Sequence, residues 1–247
     1  MKKYIRIFTA LLLGALFLIA QTAAAGESYT YTTVYPDGYN PPPNSKVVYL
    51  TFDDGPAKHT PQILKILEDH DVPATFFVVG NREHTHYMSD IVAKGHAIGL
   101  HSYDHDFDHI YRSKEAFLED LIKIDEIVFS QTGVRSNIMR FPGGSSVTRG
   151  GAKSIMPQLK KEVASKGYQF FDWNCDSRDT MGIKSASVAL SKIKTASESA
   201  GDIIIVLMHD TAEITVQYLP GVIEHFKTQG YDFLPLCPAS PAIHHTW

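Results

Sequence analysis

The feature that most constrains the fold is an alternation of short β-rich runs with stretches of helical spacing, which begins at Lys46. Apolar residues recur at helical spacing in Pro61–Glu68 and Lys114–Phe129, and Thr60 is typical of an N-cap before a first-turn proline. The β-rich runs are Val47–Phe52, Ala74–Val79, His96–Leu100, Asn137–Arg140, Tyr168–Trp173, Ile203–Met208 and Tyr231–Leu234. Strand–helix alternation indicates a parallel sheet. We therefore predict an α/β fold of seven units, one fewer than the common eight-fold barrel.

The first 25 residues have the features of a secretory signal peptide. A basic start that contains Lys2, Lys3 and Arg6 precedes the uncharged apolar run Ala10–Ala20, and small residues suited to signal peptidase follow at Ala23–Ala25. A retained membrane anchor is the alternative, but the run is short for a hydrocarbon layer of about 30 Å. We predict cleavage after residue 25, no membrane span in the mature chain, and an extracellular, cell-wall or periplasmic location.

Charge and composition narrow the partners of the mature chain. Cleavage would remove three of the 23 basic residues and none of the 27 acidic ones, which changes the net charge from −4 to −7. A chain without a basic stripe is a poor ligand for a phosphate backbone, so we expect no nucleic acid partner. Its length suits one domain, and we expect a monomer.

The proline run Pro41–Pro43 indicates an extended lead-in over residues 26–45, before a domain at 46–236 and a C-terminal tail at 237–247.

The two cysteines, Cys175 and Cys237, leave two interpretations open. Export permits a disulfide between them, but two separate buried thiols are at least as compatible with the sequence.

Polar side chains follow the apolar strands, at the point where each strand ends. The carboxyl ends of the strands of a parallel barrel open onto one face, where active sites are built. The residues in question are Asp53 and Asp54 after the first strand, His101 and His105 after the third, Arg140 after the fourth, Asp172, Asp176 and Asp179 after the fifth, and His209 after the sixth.

His101 and His105 are spaced so that, on a helical turn, both imidazoles could reach one ion. With one carboxylate they would form a set that suits Zn²⁺, Fe²⁺ or another transition metal. The alternative is that they are incidental, since the chain has 12 histidines. We interpret His109 as helix surface, and the pairs at 84/86 and 244/245 as loop or tail residues.

The segment Asp53-Asp54-Gly55-Pro56 has the composition of a turn, and one interpretation is that it has no role beyond forming one. Adjacent carboxylates at a strand end repel each other, however, and a cation would relieve that repulsion. One of the two aspartates would then bind metal while the other acts as a base.

These motifs resemble those of polysaccharide deacetylases of the NodB-homology type, carbohydrate esterase family 4. The resemblance rests on Thr51–Pro56, His101–His105, Arg140–Pro142 and Leu207–His209, and it extends from about Val47 to Leu234. It implies a distorted parallel (β/α)7 barrel, a polysaccharide substrate and one divalent metal, with Zn²⁺ favoured and Co²⁺ or another transition metal as alternatives.

The resemblance also implies roles for individual residues. The metal ligands would be Asp54, His101 and His105. The catalytic group would comprise Asp53 as general base, Arg140 to orient it, His209 as general acid and Asp179 as its carboxylate tether, with Asp172 and Asp176 as rivals for the tether. Pro142, Gly143 and Leu207 would contact substrate, with Leu207 in the acetyl pocket and the Gly143 N–H as oxyanion donor.

Two positions depart from the family pattern. Thr180 stands where a tryptophan commonly follows the tether, which leaves that wall of the groove uncertain. Gly143 replaces a tyrosine, which keeps the N–H donor but removes an aromatic contact to sugar. The glycine-rich stretch Gly143–Lys153 is interpreted as a loop that leaves room for a polymer chain, or alternatively as a flexible surface loop.

We therefore expect an exported enzyme that removes N-acetyl groups from N-acetylglucosamine units of a polysaccharide, with peptidoglycan favoured. A chitooligosaccharide deacetylase and an O-acetyl esterase acting on xylan would use the same site. An inactive carbohydrate-binding protein and a two-histidine, one-carboxylate iron oxygenase are the rivals from other classes.

Overall fold

The computed structural model describes residues 45–246, so the predicted signal peptide and residues 26–44 of the lead-in lie outside the described residues. The strands are β1 (Val47–Asp53), β2 (Thr75–Val79), β3 (Ala97–Ser102), β4 (Ile138–Met139), β5 (Gln169–Phe170), β6 (Cys175–Asp176), β7 (Ile203–His209) and β8 (Asp232–Phe233). The helices are α1 (Thr60–Asp69), α2 (Tyr87–Ala93), α3 (Phe107–Ile110), α4 (Lys114–Thr132), α5 (Ala152–Ser165), α6 (Ala186–Ala200) and α7 (Glu213–Thr228), with a 3₁₀ turn at Arg149–Gly151.

The strands form one parallel sheet in the order β5-β4-β3-β2-β1-β7-β6, and β8 pairs with the start of β1. Because β5 and β6 stand at the two ends of this order, the sheet curls without closing between them in the part of the chain that the structure describes. The predicted single-domain α/β fold, a distorted barrel, is confirmed. Each predicted run contains a strand, but the two-residue β6 was missed because it is too short to show a period.

Alternation along β1 and β7 decides which side chains enter the barrel. Val47 and Tyr49 belong to the small inner cluster that also contains Phe77 and Ile205. Val48, which lies between the first two, packs outward in the cluster that contains the helices. Side chains alternate across a strand, so the inner face of β1 continues to Thr51 and Asp53, and that of β7 to Leu207 and His209. The barrel interior is therefore apolar at the amino-terminal end of the strands and polar at their carboxyl end.

One local prediction needs correction. Thr60 is the first residue of α1 rather than its N-cap; the N-cap is His59, which makes no side-chain cap bond. The Thr60 hydroxyl instead accepts from the Ala57 N–H at 2.7 Å and donates to Asp210 Oδ2 at 2.5 Å.

The end of the chain also packs against the barrel. The His245 N–H donates to Asp172 at 2.6 Å, and the His244 ring stacks on Phe170 with centroids 4.0 Å apart. These histidines thus have defined contacts with the end of β5.

Among residues 45–246, no helix is both long enough and apolar enough to cross a bilayer. Cys175 and Cys237 are not bonded to each other, and Cys175 is buried.

Candidate active site

Asp53 and His209 are opposite each other at the carboxyl ends of β1 and β7. The two strands pair in parallel register from Val47 with Ile203 up to Asp53 with His209. Both terminal side chains lie on the inner face of the sheet, so the fold places a carboxylate and an imidazole across the same opening.

Asp54, the next residue along, turns toward the two histidines that follow β3. Its Oδ1 lies 3.3 Å from His101 Nε2 and 3.1 Å from His105 Nε2, and one ligand atom from each of the three side chains lies within 4.8 Å of the others. Burial acts to raise the pKa of Asp54, but the two histidines outweigh it and hold the pKa well below its usual range.

The donor set fits a divalent cation. Asp54 Oδ1 is buried and makes no hydrogen bond of good geometry with another described residue, although two ring nitrogens lie beside it. Two imidazoles and a carboxylate that converge in this way form a ligand set for Zn²⁺ or a similar transition metal. The observation that favours a metal here is that the buried Asp54 Oδ1 lacks such a hydrogen bond.

The spacing argument assumed that the two histidines share a helical turn, and this assumption is wrong. His101 lies within β3, whereas His105 follows in a loop with φ of 60°. That left-handed backbone, together with φ of 72° at Asp54, is what lets the three side chains converge. His101 Nδ1 is 2.8 Å from the Arg140 carbonyl oxygen, which leaves Nε2 directed at Asp54.

Arg140 is fully buried and fixes one oxygen of Asp53. Its Nη1 donates to Asp53 Oδ1 at 2.8 Å and to Thr51 Oγ1 at 2.7 Å, and its Nε donates to the Phe171 carbonyl at 2.9 Å. A buried arginine needs such a complete set of partners. Asp53 is thereby oriented, and its second oxygen, Oδ2, lies 3.8 Å from His101 Nε2.

His209 is bound to Asp179 rather than to either rival aspartate. The Nδ1 of His209 lies 2.7 Å from Asp179 Oδ1, and Thr215 and Tyr218 donate to Asp179 Oδ2 at 2.7 and 2.8 Å. Burial acts to lower the pKa of His209, but Asp179 and the charges of Asp53 and Asp54 raise it to about 9.

The two rival aspartates are occupied elsewhere. Asp172 accepts from the N–H groups of Ser145 and His245 at 2.7 and 2.6 Å. Asp176 accepts from the Arg178 N–H at 2.8 Å. The geometry therefore brings together only the Asp179–His209 pair.

The predicted substrate-contact residues lie around the same opening. Leu207 is buried on the inner face of β7, two residues before His209. The Pro142 carbonyl accepts from the Tyr111 hydroxyl at 2.8 Å. Gly143 is exposed, with φ of 76°, and its N–H donates to no other described residue.

The glycine-rich stretch is shorter and more tightly packed than predicted. It gives way to α5 at Ala152, and a Cβ at Gly150 would lie 1.9 Å from the Phe107 carbonyl oxygen. A Cβ at Gly144 would lie 3.1 Å from Trp173 and from His245. These glycines allow close contacts within the protein.

Two buried aspartates near the site were missed at the sequence level. Asp120 on α4 accepts hydrogen bonds from the segment that joins His101 to His105. Asp210 is packed against Gly55, where a Cβ would lie 2.0 Å from both of its oxygens. Burial and the nearby charge of Asp54 raise the pKa of Asp210 to about 7. No sequence motif distinguishes Asp120, a single aspartate within a helix. Asp210 could have been noticed, because it directly follows the motif residue His209.

The fold and site define an α/β barrel with a candidate two-histidine, one-carboxylate metal centre at the carboxyl ends of its strands. Residues 40–170 match the polysaccharide deacetylase family. The chain belongs to this family, the NodB-type deacetylases of carbohydrate esterase family 4, which are metal-dependent hydrolases.

Several similar proteins are named as peptidoglycan N-acetylglucosamine deacetylases. The chain is 30% identical over 196 residues to a peptidoglycan-N-acetylglucosamine deacetylase of Bacillus cereus, covering 76% of this chain and 68% of that protein. It is 32% identical over 195 residues to the Listeria monocytogenes enzyme of the same name, covering 78% of this chain but 38% of that protein. The catalytic domain of the Eubacterium rectale peptidoglycan N-acetylglucosamine deacetylase superposes with a TM-score of 0.79 and 36% identity, covering 83% of this chain and 94% of that one.

Proposed function

We propose that this protein hydrolyses the N-acetyl groups of N-acetylglucosamine units in peptidoglycan, after export through the secretory pathway. The observation that carries the proposal is the pairing of Asp53 with His209 across a site that also holds Asp54, His101 and His105. A proton acceptor and a proton donor on opposite sides of a metal-ligand set are what amide hydrolysis requires. The names of the relatives support the choice of polymer.

A metal held by Asp54, His101 and His105 would supply Lewis-acid polarisation of the amide carbonyl and a water of lowered pKa. Zn²⁺ is our first choice, and Co²⁺ or another transition metal would also suit these ligands. Every other step uses groups of the chain itself.

Asp53 acts as the general base. Arg140 binds Oδ1 at 2.8 Å, which leaves Oδ2 to take the proton of the attacking water. The ion pair also holds the carboxylate at a fixed angle. A positioned base of this kind typically contributes about 10²–10⁴-fold in rate.

The Gly143 N–H stabilises the negative charge that forms on the carbonyl oxygen when water adds to the acetyl carbon, and a donor of this kind is typically worth about 3 kcal/mol. Leu207 provides an apolar wall for the methyl group of the acetyl.

His209 then acts as general acid toward the departing amine. With its pKa raised to about 9, the ring is protonated at neutral pH and has a proton to give. Asp179 binds Nδ1, so Nε2 is the nitrogen that faces the site, 4.0 Å from Asp54 Oδ2. An amine is too basic to leave unprotonated, so this proton completes the cleavage.

The proposal is tested by mass spectrometry of defined glycans after incubation with the mature protein and Zn²⁺ or Co²⁺. Peptidoglycan fragments should lose acetyl groups from N-acetylglucosamine, and the Asp53→Asn protein should remove these groups far more slowly. Reaction with chitin oligomers alone would point to a chitooligosaccharide deacetylase, and reaction with acetylated xylan alone would point to an esterase. Binding of glycans without any reaction would point to a carbohydrate-binding protein.

The polymer preference is tested separately with N-acetylglucosamine oligomers of increasing length. Remote sugar units can contribute binding energy that orients the reacting acetyl group, so kcat/KM should rise from the monomer to the hexamer. A monomer deacetylated as efficiently as the hexamer would indicate a small-molecule amidase instead.

A further inference from the structure

Asp120 is a buried carboxylate on α4 that binds the loop between the two histidines of the site. Only 4% of the residue is exposed. Its Oδ2 accepts from Ser102 Oγ at 2.7 Å and from the Tyr103 N–H at 2.9 Å, and its Oδ1 accepts from the Asp104 N–H at 3.1 Å. All three donors lie between His101 and His105, so one carboxylate organises the whole connecting segment.

A relay extends this control to His105 itself. Because the Ser102 hydroxyl donates to Asp120, its oxygen is free to accept, and it accepts from the His105 N–H at 2.9 Å. His105 has φ of 60°, a backbone conformation that costs energy for any residue with a Cβ. A strained residue of this kind persists only where its surroundings enforce it, and the contact that reaches its backbone starts at Asp120.

We propose that Asp120 is a positioning residue that holds the His101–His105 segment in the conformation in which both imidazoles can bind one divalent cation. The inference rests on the metal site of the proposed function but not on the reaction. Hydrogen bonds to an ionised acceptor are short and strong, and groups that orient metal ligands raise metal affinity because less ordering remains to be done on binding.

The competing explanation is that Asp120 stabilises the fold and nothing more. Asp125 offers a matched control, since it lies on the same helix and is also buried, at 7% exposure. Its Oδ2 accepts from Arg135 at 2.6 Å, in the loop after α4 and not in the histidine segment. Loss of either carboxylate should lower the melting temperature, but only the loss of Asp120 should change metal binding.

The experiment compares Asp120→Asn with Asp125→Asn as full-length mature proteins freed of metal by a chelator. Zn²⁺ is titrated in competition with a chromophoric chelator, and Co²⁺ absorption reports the geometry of the ligands. Asparagine offers only one acceptor atom where the loop presents three donors. We expect Zn²⁺ affinity to fall about 10–100-fold in Asp120→Asn, the usual effect of losing a ligand-orienting group, and to stay at the wild-type value in Asp125→Asn.

Ser102→Ala separates position from charge, because it keeps the Asp120 carboxylate but cuts the relay to the His105 N–H. We expect weaker Zn²⁺ binding and an altered Co²⁺ spectrum in this variant too, and it decides the matter should Asp120→Asn fail to fold. Wild-type affinity in either Asp120→Asn or Ser102→Ala overturns the inference. A wild-type protein that binds no cation overturns it together with the metal site, whereas metal binding without deacetylation refutes only the proposed function.

Discussion

Asp179 binds His209 at two points, because its carboxylate accepts from both the ring and the backbone of that residue. The His209 Nδ1 lies 2.7 Å from Asp179 Oδ1, and the His209 N–H lies 2.8 Å from Oδ2. One side chain thus fixes both the tautomer of the imidazole and the end of the strand that carries it. The ring nitrogen that faces the site is therefore determined by a residue outside β7.

Replacing Asp179 by Asn should lower the pH above which activity is lost. His209 must be protonated to act as the acid, and its pKa of about 9 is raised above the ordinary 6.5 chiefly by Asp179, with contributions from Asp53 and Asp54. Activity of the wild type should fall as pH rises through about 9, and that of the variant at a lower pH. The pH–rate profile at saturating metal measures this, and metal content should not change.

Asp172→Asn is the matched control for that profile, since Asp172 binds Ser145 and His245 instead. Its alkaline limb should coincide with that of the wild type. A shifted limb in Asp172→Asn and an unshifted one in Asp179→Asn would reverse our assignment of the tether.

Replacing His101, His105 or Asp54 by Ala should remove bound metal and activity together, since these are the three converging side chains. Metal content after dialysis, measured by elemental analysis, checks the assignment. His109→Ala is the control, because His109 lies on the short helix just beyond and contacts Asp104. Full metal occupancy in His105→Ala would refute the ligand set.

Asp53→Asn should separate chemistry from metal binding. Asparagine keeps the shape of the side chain but cannot take a proton, so we expect near-normal metal content and activity lower by about 10²–10⁴-fold. Elemental analysis and single-turnover rates on one preparation test both parts. Loss of the metal in this variant would make Asp53 a ligand rather than the base.

Gly150→Ala should destabilise the protein more than Gly133→Ala. Both glycines have positive φ, at 59° and 72°, but a Cβ at Gly133 meets nothing within 4 Å, whereas one at Gly150 would lie 1.9 Å from the Phe107 carbonyl oxygen. Left-handed strain alone costs about 1–2 kcal/mol, and the clash with backbone adds to it only at Gly150. Denaturant unfolding measures the difference, and equal losses would mean that the loop can move away.

The sequence by itself determined the α/β class and the face of the barrel that carries the chemistry. Both follow from local signals, because strand and helix periods are visible in single segments and parallel strands bring their carboxyl ends to one edge. That rule is enough to bring Asp53, Asp54, His101 and His209 together. Sequence spacing alone gave the wrong reason for the histidine pair, since His105 arrives through a left-handed loop and not a helical turn.

Only the tertiary structure decided which partners those residues have. Asp172, Asp176 and Asp179 are equivalent in a sequence that places them within eight positions of one another, yet packing of α7 brings Thr215 and Tyr218 to Asp179 alone. Asp120 shows the same limit, because its partners lie 16 to 18 residues away along the chain. A buried carboxylate is satisfied by whichever donors the fold brings to it, and that choice is made by three-dimensional packing, which leaves no periodic trace in the sequence.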